Sequence, residues 1–298
     1  MSIARWGVLI PVAALAACSL NRQAVSTPST PLQPSANQAL VADIKAFEQT
    51  LGVQATGNFL GYSANQRAIN RCYFTEKLEL PGSYLDLRLV QGSDAGCSVD
   101  MERYDVFFYP AEAVASGASP VTPALADASL ERLLVVVPHE DFHNQREARG
   151  ASPDIAEAAA TLIGFLTATE FARERYGEGS SAFERLDREA GLFLQKAKIV
   201  NLYHDRIGAL YSSFRSGRIT RQAALLRKEE LFLELGRACA AIVPDPASFN
   251  KCPAAMNNAG LAFDHTYTRQ YPDIFDRYER SGEDARATIL DLRRLLAS

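Results

Sequence analysis

The residues best suited to chemistry lie together in the segment 138–143, which reads Pro-His-Glu-Asp-Phe-His. Two histidines four positions apart lie on one face of a helix, so the imidazoles of His139 and His143 can share a single tetrahedral metal ion. Glu140 follows the first histidine and can reach a water on the open side of that ion. His139 and His143 are therefore predicted to bind zinc, with Glu140 as the general base of a hydrolytic reaction.

A zinc ion held by two histidines and a water needs a third protein ligand, and Glu157 is the candidate. It lies 14 residues after His143, beyond the turn-forming segment 150–153, so a second helix can return beside the first. The small residues around it, Ala156 and 158–160, would let the two helices approach closely. The alternative is an ordinary surface acid in an alanine-rich helix.

The metal motif follows an apolar run that should hold it at the edge of the core. Residues 133–137 carry no charge, which predicts a buried strand or a buried helix. Pro138 can either begin the following helix or bend it. A motif at this boundary lies between the core and a cleft, which favours a metal site. The alternative is a pair of histidines with a purely structural role.

From about residue 126 onward the sequence predicts helices only. One of them covers 153–176 and ends before Gly177. A long helix from about 180 to 217 has apolar residues at alternating steps of three and four, and Thr220 can cap a second helix with the same spacing. These two helices are predicted to form an antiparallel hairpin, in which His204 is a packed core residue. Two further helices are expected at about 253–271 and 284–296.

Residues 39–125 give mixed signals. A helix is predicted at 39–51, and strand-like runs rich in aromatic and β-branched residues occur at 84–90 and 104–109. The predicted fold class is therefore α+β and mostly α. A small α+β region with a sheet covers 39–125, and a helical region covers 126–298.

The N-terminus is typical of an exported protein. Residues 1–17 combine one basic residue, Arg5, with an apolar run that is too short to span a bilayer, as in a secretory signal. The sequence Leu-Ala-Ala-Cys ending at Cys18 resembles the bacterial lipobox, which implies that Cys18 is lipidated and becomes the first residue of the mature chain. The alternative is an ordinary signal with a chance cysteine.

Lipidation at Cys18 would place the protein in the cell envelope. Ser19 follows the cysteine where an Asp would imply retention in the inner membrane, so the expected location is the inner leaflet of the outer membrane, facing the periplasm. Residues 18–38 are rich in Pro, Ser and Thr and are predicted to be an extended tether. The lipid anchor is the only membrane contact expected.

Composition and cysteine count agree with export. A hydrophobic content of 47% and a net charge of -4 indicate a globular protein, and no basic stripe points to nucleic acid. The even set of remaining cysteines predicts two disulfides, Cys72–Cys97 and Cys239–Cys252, although four cysteines permit three pairings. No Cys-x-x-Cys spacing supports a thiolate metal site.

A His-Glu-x-x-His motif followed by a Glu on the next helix resembles the gluzincin metallopeptidases. More narrowly, the chain is similar to a bacterial family of aminopeptidases, many of them lipoproteins, with a later Asn-Asn-Ala-x-Leu-Ala-(x)4-Tyr segment. Residues 257–267 match that segment and end at Tyr267. The resemblance covers about 133–296, with 80–84 (Leu-Pro-Gly-Ser-Tyr) the only part recognised upstream.

The resemblance implies a zincin-like helical core that binds Zn²⁺ and cleaves a peptide or related amide bond. It implies His139, His143 and Glu157 as ligands and Glu140 as base. It also implies that Tyr267 donates a hydrogen bond to the oxyanion, with His265 as a rival for that role. Two alternatives stay open: a zinc hydrolase acting on cell-wall amides, and a non-enzymatic envelope lipoprotein whose metal site is structural or degenerate and whose helical hairpin binds a partner.

Overall fold

The structure is a computed structural model that describes residues 36–63, 69–93, 95–115, 117–244 and 252–297. In these residues helices outnumber strands. Within these residues the fold is mostly helical with one small antiparallel sheet, so the α+β, mostly α prediction is confirmed. The predicted signal, Cys18 and residues 18–35 of the tether lie outside the described residues. The first helix begins at Ala36, three residues before the predicted start.

The described elements alternate a few strands with many helices. The strands are β1 (Ile69–Glu76), β2 (Arg88–Gln91) and β3 (Tyr104–Ala111). The helices are α1 (Ala36–Thr50), α2 (Pro123–Ala126), α3 (Leu130–His143), α4 (Pro153–Tyr176), α5 (Ser181–Leu186), α6 (Glu189–Arg215), α7 (Arg221–Ala240), α8 (Asn258–Thr268), α9 (Tyr271–Arg280) and α10 (Ala285–Ala297). Short 3-10 turns occur at Tyr84–Asp86 and Ala148–Gly150.

The sheet has the order β2-β1-β3, and both pairings are antiparallel. The prediction at 104–109 is confirmed, but the strand predicted at 84–90 is wrong in its first half. Tyr84–Asp86 forms a 3-10 turn, because the side chain of Ser83 accepts the backbone N–H of Leu85 and caps it. The central strand β1 was missed, since its polar residues hide the alternation by which strands are recognised.

Both predicted disulfides are present. Cys72 of β1 pairs with Cys97, and Cys239 of α7 pairs with Cys252. The Cα atoms are 5.7 Å and 5.4 Å apart, which is the usual separation for a disulfide. The second bond ties the end of the helical hairpin to the segment that leads into α8.

Helix α4 is the centre of the helical layer. It is long and apolar enough to cross a membrane, but 83% of its most apolar stretch is buried inside the fold, as in the core helix of a folded domain. Ser152, Pro153 and Gly177 mark its ends as predicted. Gly164 lies so close to α3 that a Cβ atom there would come within 2.7 Å of the Val135 carbonyl oxygen. The two helices therefore pack with almost no side-chain spacer at this point.

The predicted hairpin is formed by α6 and α7. Thr220 caps α7 through its side chain, and the buried residues Val200, Ile207, Leu231 and Leu235 belong to one core cluster between the two helices. The long helix predicted from about 180 is interrupted at residues 187–188, so that α5 and α6 are separate elements.

The predicted helix at 253–271 is shorter than expected and is followed by an additional helix. Asn257 caps α8 by accepting the backbone N–H of Gly260, so the helix begins later than predicted. Pro272 lies in the first turn of α9, where a proline starts a new helix and ends the preceding one. The sheet packs on α8 through Tyr73 and Phe263, which brings the strands to the same place as the metal motif.

Candidate metal centre

The two motif histidines are on one continuous helix. Ser129 caps α3, and the helix runs through Pro138 to His143, so the proline lies within the helix and does not start it. His139 and His143 are one turn apart on the same face, and their Nε2 atoms are 3.2 Å apart. The predicted geometry of the pair is therefore present.

Glu157 reaches both histidines from the neighbouring helix. Its Oε2 atom is 3.1 Å from Nε2 of His143 and 3.4 Å from Nε2 of His139. This approach is possible because α3 packs closely on α4 at Gly164, which lies two turns after Glu157 in α4. The side chain of Glu157 is buried, so it is not the surface acid of the alternative interpretation.

The three ligand atoms have the spacing that one small cation requires. Metal–ligand bonds of about 2.1 Å in a tetrahedron place neighbouring ligand atoms about 3.4 Å apart. The observed separations of 3.1, 3.2 and 3.4 Å are close to that value. His139, His143 and Glu157 could hold a metal ion, and they are the only such group of His, Cys, Asp and Glu found among the described residues.

Tyr84 completes the surroundings of Glu157, and its role was not predicted. The Tyr84 hydroxyl donates a 3.0 Å hydrogen bond to Oε1 of Glu157, on the opposite side of the carboxylate from the histidines. The Tyr84 backbone N–H donates to Oγ1 of Thr266, which fixes the 3-10 turn against α8. The only sequence signal for Tyr84 was its place in the family-like segment 80–84.

The turn of α3 that carries Glu140 is held in place by residues of α1 and of the segment that follows it. Lys45 of α1 forms a buried ion pair with Asp141, and Thr56 donates a 2.6 Å hydrogen bond to the same carboxylate. Asn58 donates from its side chain to the Glu140 carbonyl oxygen. These contacts anchor α3 without using the side chain of Glu140.

Glu140 lies beside the three candidate ligands in a half-buried position. Burial raises the pKa of Glu140, and the carboxylate of Glu157 adds to this, while His139, His143 and the backbone N–H of Ala115 act in the opposite direction. A carboxylate with a raised pKa is a stronger base towards a nearby water. This environment suits the predicted role of Glu140.

The ligands themselves form a strongly polarised group. Burial alone would raise the pKa of Glu157, but the neighbouring imidazoles hold it well below its usual range. Burial would lower the pKa of His143, yet the Glu157 carboxylate raises it to about 9. In the absence of a cation, Glu157 thus attracts a proton to His143, and a bound metal ion would displace that proton.

Tyr267 and His265 occupy different environments. Tyr267 lies in the cleft, with its ring centroid 6.3 Å from that of His139, and burial raises its pKa well above the usual value. It therefore stays protonated and can donate a hydrogen bond. His265 instead stacks on His204 at 3.5 Å, and its Nδ1–H donates to the Gly82 carbonyl oxygen at 2.8 Å. Of the two, only Tyr267 is close to the candidate metal ligands.

Open space adjoins the ligands on the side of Glu140. A cleft of about 270 Å³ is lined by Glu140, Tyr84 and all three ligand residues, and we call it the metal cleft. A second cavity of about 240 Å³ shares His139, Glu140 and Tyr267 with it and continues between α3, α4 and α8. The centre thus has access to space where a substrate can bind.

A comparison with protein-family models, curated proteins and solved structures finds no match to this chain. The resemblance to gluzincins therefore stays a prediction that rests on the sequence motifs. What the centre can do chemically follows from the residues of this chain.

Proposed function

We propose that this protein is a zinc-dependent hydrolase whose substrate is a peptide bond or a related amide bond. The observation that carries the proposal is the convergence of Nε2 of His139 and His143 with Oε2 of Glu157 at 3.1 to 3.4 Å. Two imidazoles and one carboxylate at tetrahedral spacing are a donor set of catalytic zinc. A zincin-like helical core is part of this proposal.

The openness of the centre favours catalysis over a structural metal site. Structural zinc sites are closed by four protein ligands, whereas catalytic sites use three and keep one position for water. Among the described residues only three groups converge here, and the metal cleft adjoins them. Glu140, which is not needed as a ligand, lines that cleft.

Each residue then has a defined task. A zinc ion in this centre would supply a water ligand with a pKa of about 7 and an electrophile for the substrate carbonyl. Glu140 accepts the proton of the attacking water and can pass it to the leaving nitrogen. Tyr267, which keeps its own proton, donates a hydrogen bond to the carbonyl oxygen as that oxygen gains negative charge.

Metal analysis of the purified full-length protein tests the centre. We expect one zinc per chain, with loss of that zinc in His139→Ala and in Glu157→Gln. His204→Gln is the matched control, because His204 lies outside the metal cleft and hydrogen-bonds to Pro81. Absence of stoichiometric metal, or zinc retained in His139→Ala, contradicts the proposal. Stoichiometric iron would also contradict it, since two histidines and a carboxylate suit iron(II) as well.

Hydrolysis is tested separately with Glu140→Gln. This variant should keep its zinc and lose hydrolysis of a panel that contains peptides with free and blocked amino termini and cell-wall amides. Full activity of Glu140→Gln contradicts the assignment of the base. Zinc binding without hydrolysis of any member supports the alternative of a structural metal site.

The proposal includes attachment to the cell envelope through Cys18, facing the periplasm. Two disulfides support an oxidising compartment, because such bonds are rare in reducing ones. Labelling of cells with a radioactive fatty acid should mark the wild type and leave Cys18→Ala unmarked. A wild-type protein without label contradicts the lipid anchor.

A further inference from the structure

A cavity of about 240 Å³ lies next to the proposed base and is large enough for a substantial side chain. Six residues of its wall also line the metal cleft, namely Tyr109, Ala113, His139, Glu140, Phe263 and Tyr267. For comparison, an apolar protein cavity of about 150 Å³ holds a benzene molecule. We call this cavity the side pocket.

The hydrocarbon part of the side pocket comes from several elements. It is lined by apolar and aromatic residues of α3, α4, α8 and β3, namely Val135, Val136, Phe165, Phe263, Phe107 and Tyr109. Phe165 and Phe263 are buried in the fold. An aromatic ring that enters the side pocket would exchange water contacts for contacts with these groups.

The charged groups of the side pocket already neutralise one another. Arg132 pairs with Glu112 at 2.8 Å, and Lys196 pairs with Asp264 at 2.7 Å. The side chains of Lys196 and Asp264 are only 1% and 5% exposed. Neither pair leaves a net charge to receive an ion of opposite sign.

Two physical costs then disfavour a charged substrate side chain. An ion that enters the side pocket loses its hydration and finds, apart from Glu140, only paired charges on the wall. Glu140 is the remaining carboxylate, and a cation that paired with it would compete for the proposed base. An uncharged side chain meets neither cost.

We propose that the side pocket receives an uncharged aromatic or large apolar side chain of the substrate, next to the bond that is cleaved. This inference rests on the proposed hydrolase function and gives it a substrate class. The cleaved bond lies in the metal cleft, and the adjoining residue selects the substrate by filling the side pocket.

The first experiment measures binding without hydrolysis. Full-length protein in EDTA is titrated with N-acetyl-phenylalaninamide, N-acetyl-alaninamide and N-acetyl-lysinamide, and dissociation constants are measured by ligand-observed NMR. We expect the phenylalanine compound to bind about tenfold more tightly than either of the others, or better. Equal affinity for all three, or preference for lysine, overturns the proposal.

Two variants fill the side pocket from different walls. Val136→Phe does so from α3, and Ala254→Leu from the segment before α8. Each should abolish the preference for phenylalanine, and the second keeps the experiment informative if the first does not fold. Val90→Phe on exposed strand β2 is the matched control and should bind like the wild type. Unchanged preference in both folded filling variants overturns the proposal.

The second experiment separates this inference from the proposed function. Zinc-loaded protein is given peptides that differ only in one residue beside the cleaved bond. Cleavage with no preference for aromatic or large apolar residues overturns the side-pocket proposal and leaves the hydrolase standing. Selective binding of the phenylalanine compound without cleavage of any peptide supports the side pocket and contradicts the hydrolase.

Discussion

The hydroxyl group of Tyr84 donates a 3.0 Å hydrogen bond to Oε1 of Glu157, while Oε2 of the same carboxylate lies 3.1 Å from Nε2 of His143. The two oxygens of Glu157 thus have separate partners. Burial and the negative charge of Glu157 raise the pKa of Tyr84, so its hydroxyl remains a donor. Tyr84 holds the carboxylate in the orientation that directs Oε2 towards the histidines.

The first prediction is that Tyr84→Phe weakens zinc binding about tenfold, because groups that orient metal ligands contribute to affinity by this order. The ring remains to pack on Phe263, so the fold should be kept. Zinc affinity is measured by competition with a chromophoric chelator. Tyr104→Phe, on half-buried Tyr104 of β3 whose hydroxyl accepts a hydrogen bond from Arg88, is the matched control. Wild-type zinc affinity in Tyr84→Phe would show that Glu157 needs no such support.

The local part of the site was predictable from the sequence, whereas its long-range part was not. The spacing of His139 and His143 determines their geometry once a helix forms. Glu157 followed from the turn and the small residues between two helices. Tyr84 is 73 residues from Glu157 in the chain, and their contact depends on how the sheet packs on α8. No periodic pattern of residues in the sequence indicates a contact between positions so far apart.

The second prediction concerns the close approach of α3 and α4. A Cβ atom at Gly164 would lie 2.7 Å from the Val135 carbonyl oxygen and 3.4 Å from Cβ of His139. Gly164→Ala must separate the helices, and we expect it to lower the free energy of unfolding by about 1 to 3 kcal/mol. Zinc affinity should fall with it, since Glu157 and His139 lie on opposite sides of this contact. Chemical denaturation and chelator competition measure the two effects.

Gly208 provides the matched control for that substitution. It is also within a helix, but a Cβ atom there meets nothing within 4 Å. Gly208→Ala should therefore raise the free energy of unfolding by about 0.5 to 1 kcal/mol, through helix propensity alone. If both variants were stabilised, the contact between α3 and α4 would be looser than described.

Helices were predicted better than strands for a physical reason. The ends of α4 and α7 are marked by local groups, Pro153 and Gly177 for α4 and Thr220 for α7. The strand β1 has no equivalent signal, because it lies between β2 and β3 and most of its polar residues are half-buried. Which residues suit a central strand depends on packing against the neighbouring strands more than on an intrinsic preference.

The third prediction follows from Glu48, which is fully buried in α1. Burial, followed by the nearby Asp141 carboxylate, raises the pKa of Glu48 well above 4.5. The folded chain therefore holds a proton that the unfolded chain releases, so stability falls as pH rises above about 4.5. Glu48→Gln has no such proton, and its stability relative to the wild type should increase with pH. Urea denaturation between pH 4 and pH 8 measures this, and a constant difference over that range would contradict it.

The last prediction uses the stacked pair His265 and His204. Burial, followed by His204, lowers the pKa of His265 from 6.5 to about 4. Between these values the unfolded chain binds a proton that the folded chain does not, so stability is lost as pH falls from 6.5 towards 4. The loss approaches about 3 kcal/mol for a shift of this size.

His265→Asn should remove most of that pH dependence. The Asn side chain does not titrate, and its amide N–H can replace the Nδ1–H that donates to the Gly82 carbonyl oxygen. The wild type should lose about 3 kcal/mol more than the variant between pH 7 and pH 4, measured by urea denaturation at each pH. Glu174→Gln, an exposed residue of α4 that is not among the groups shifting the pKa of His265, is the control and should keep the wild-type slope. Equal slopes for wild type and His265→Asn would mean that folding does not lower the pKa of His265, because the folded and unfolded chains would then bind a proton there equally.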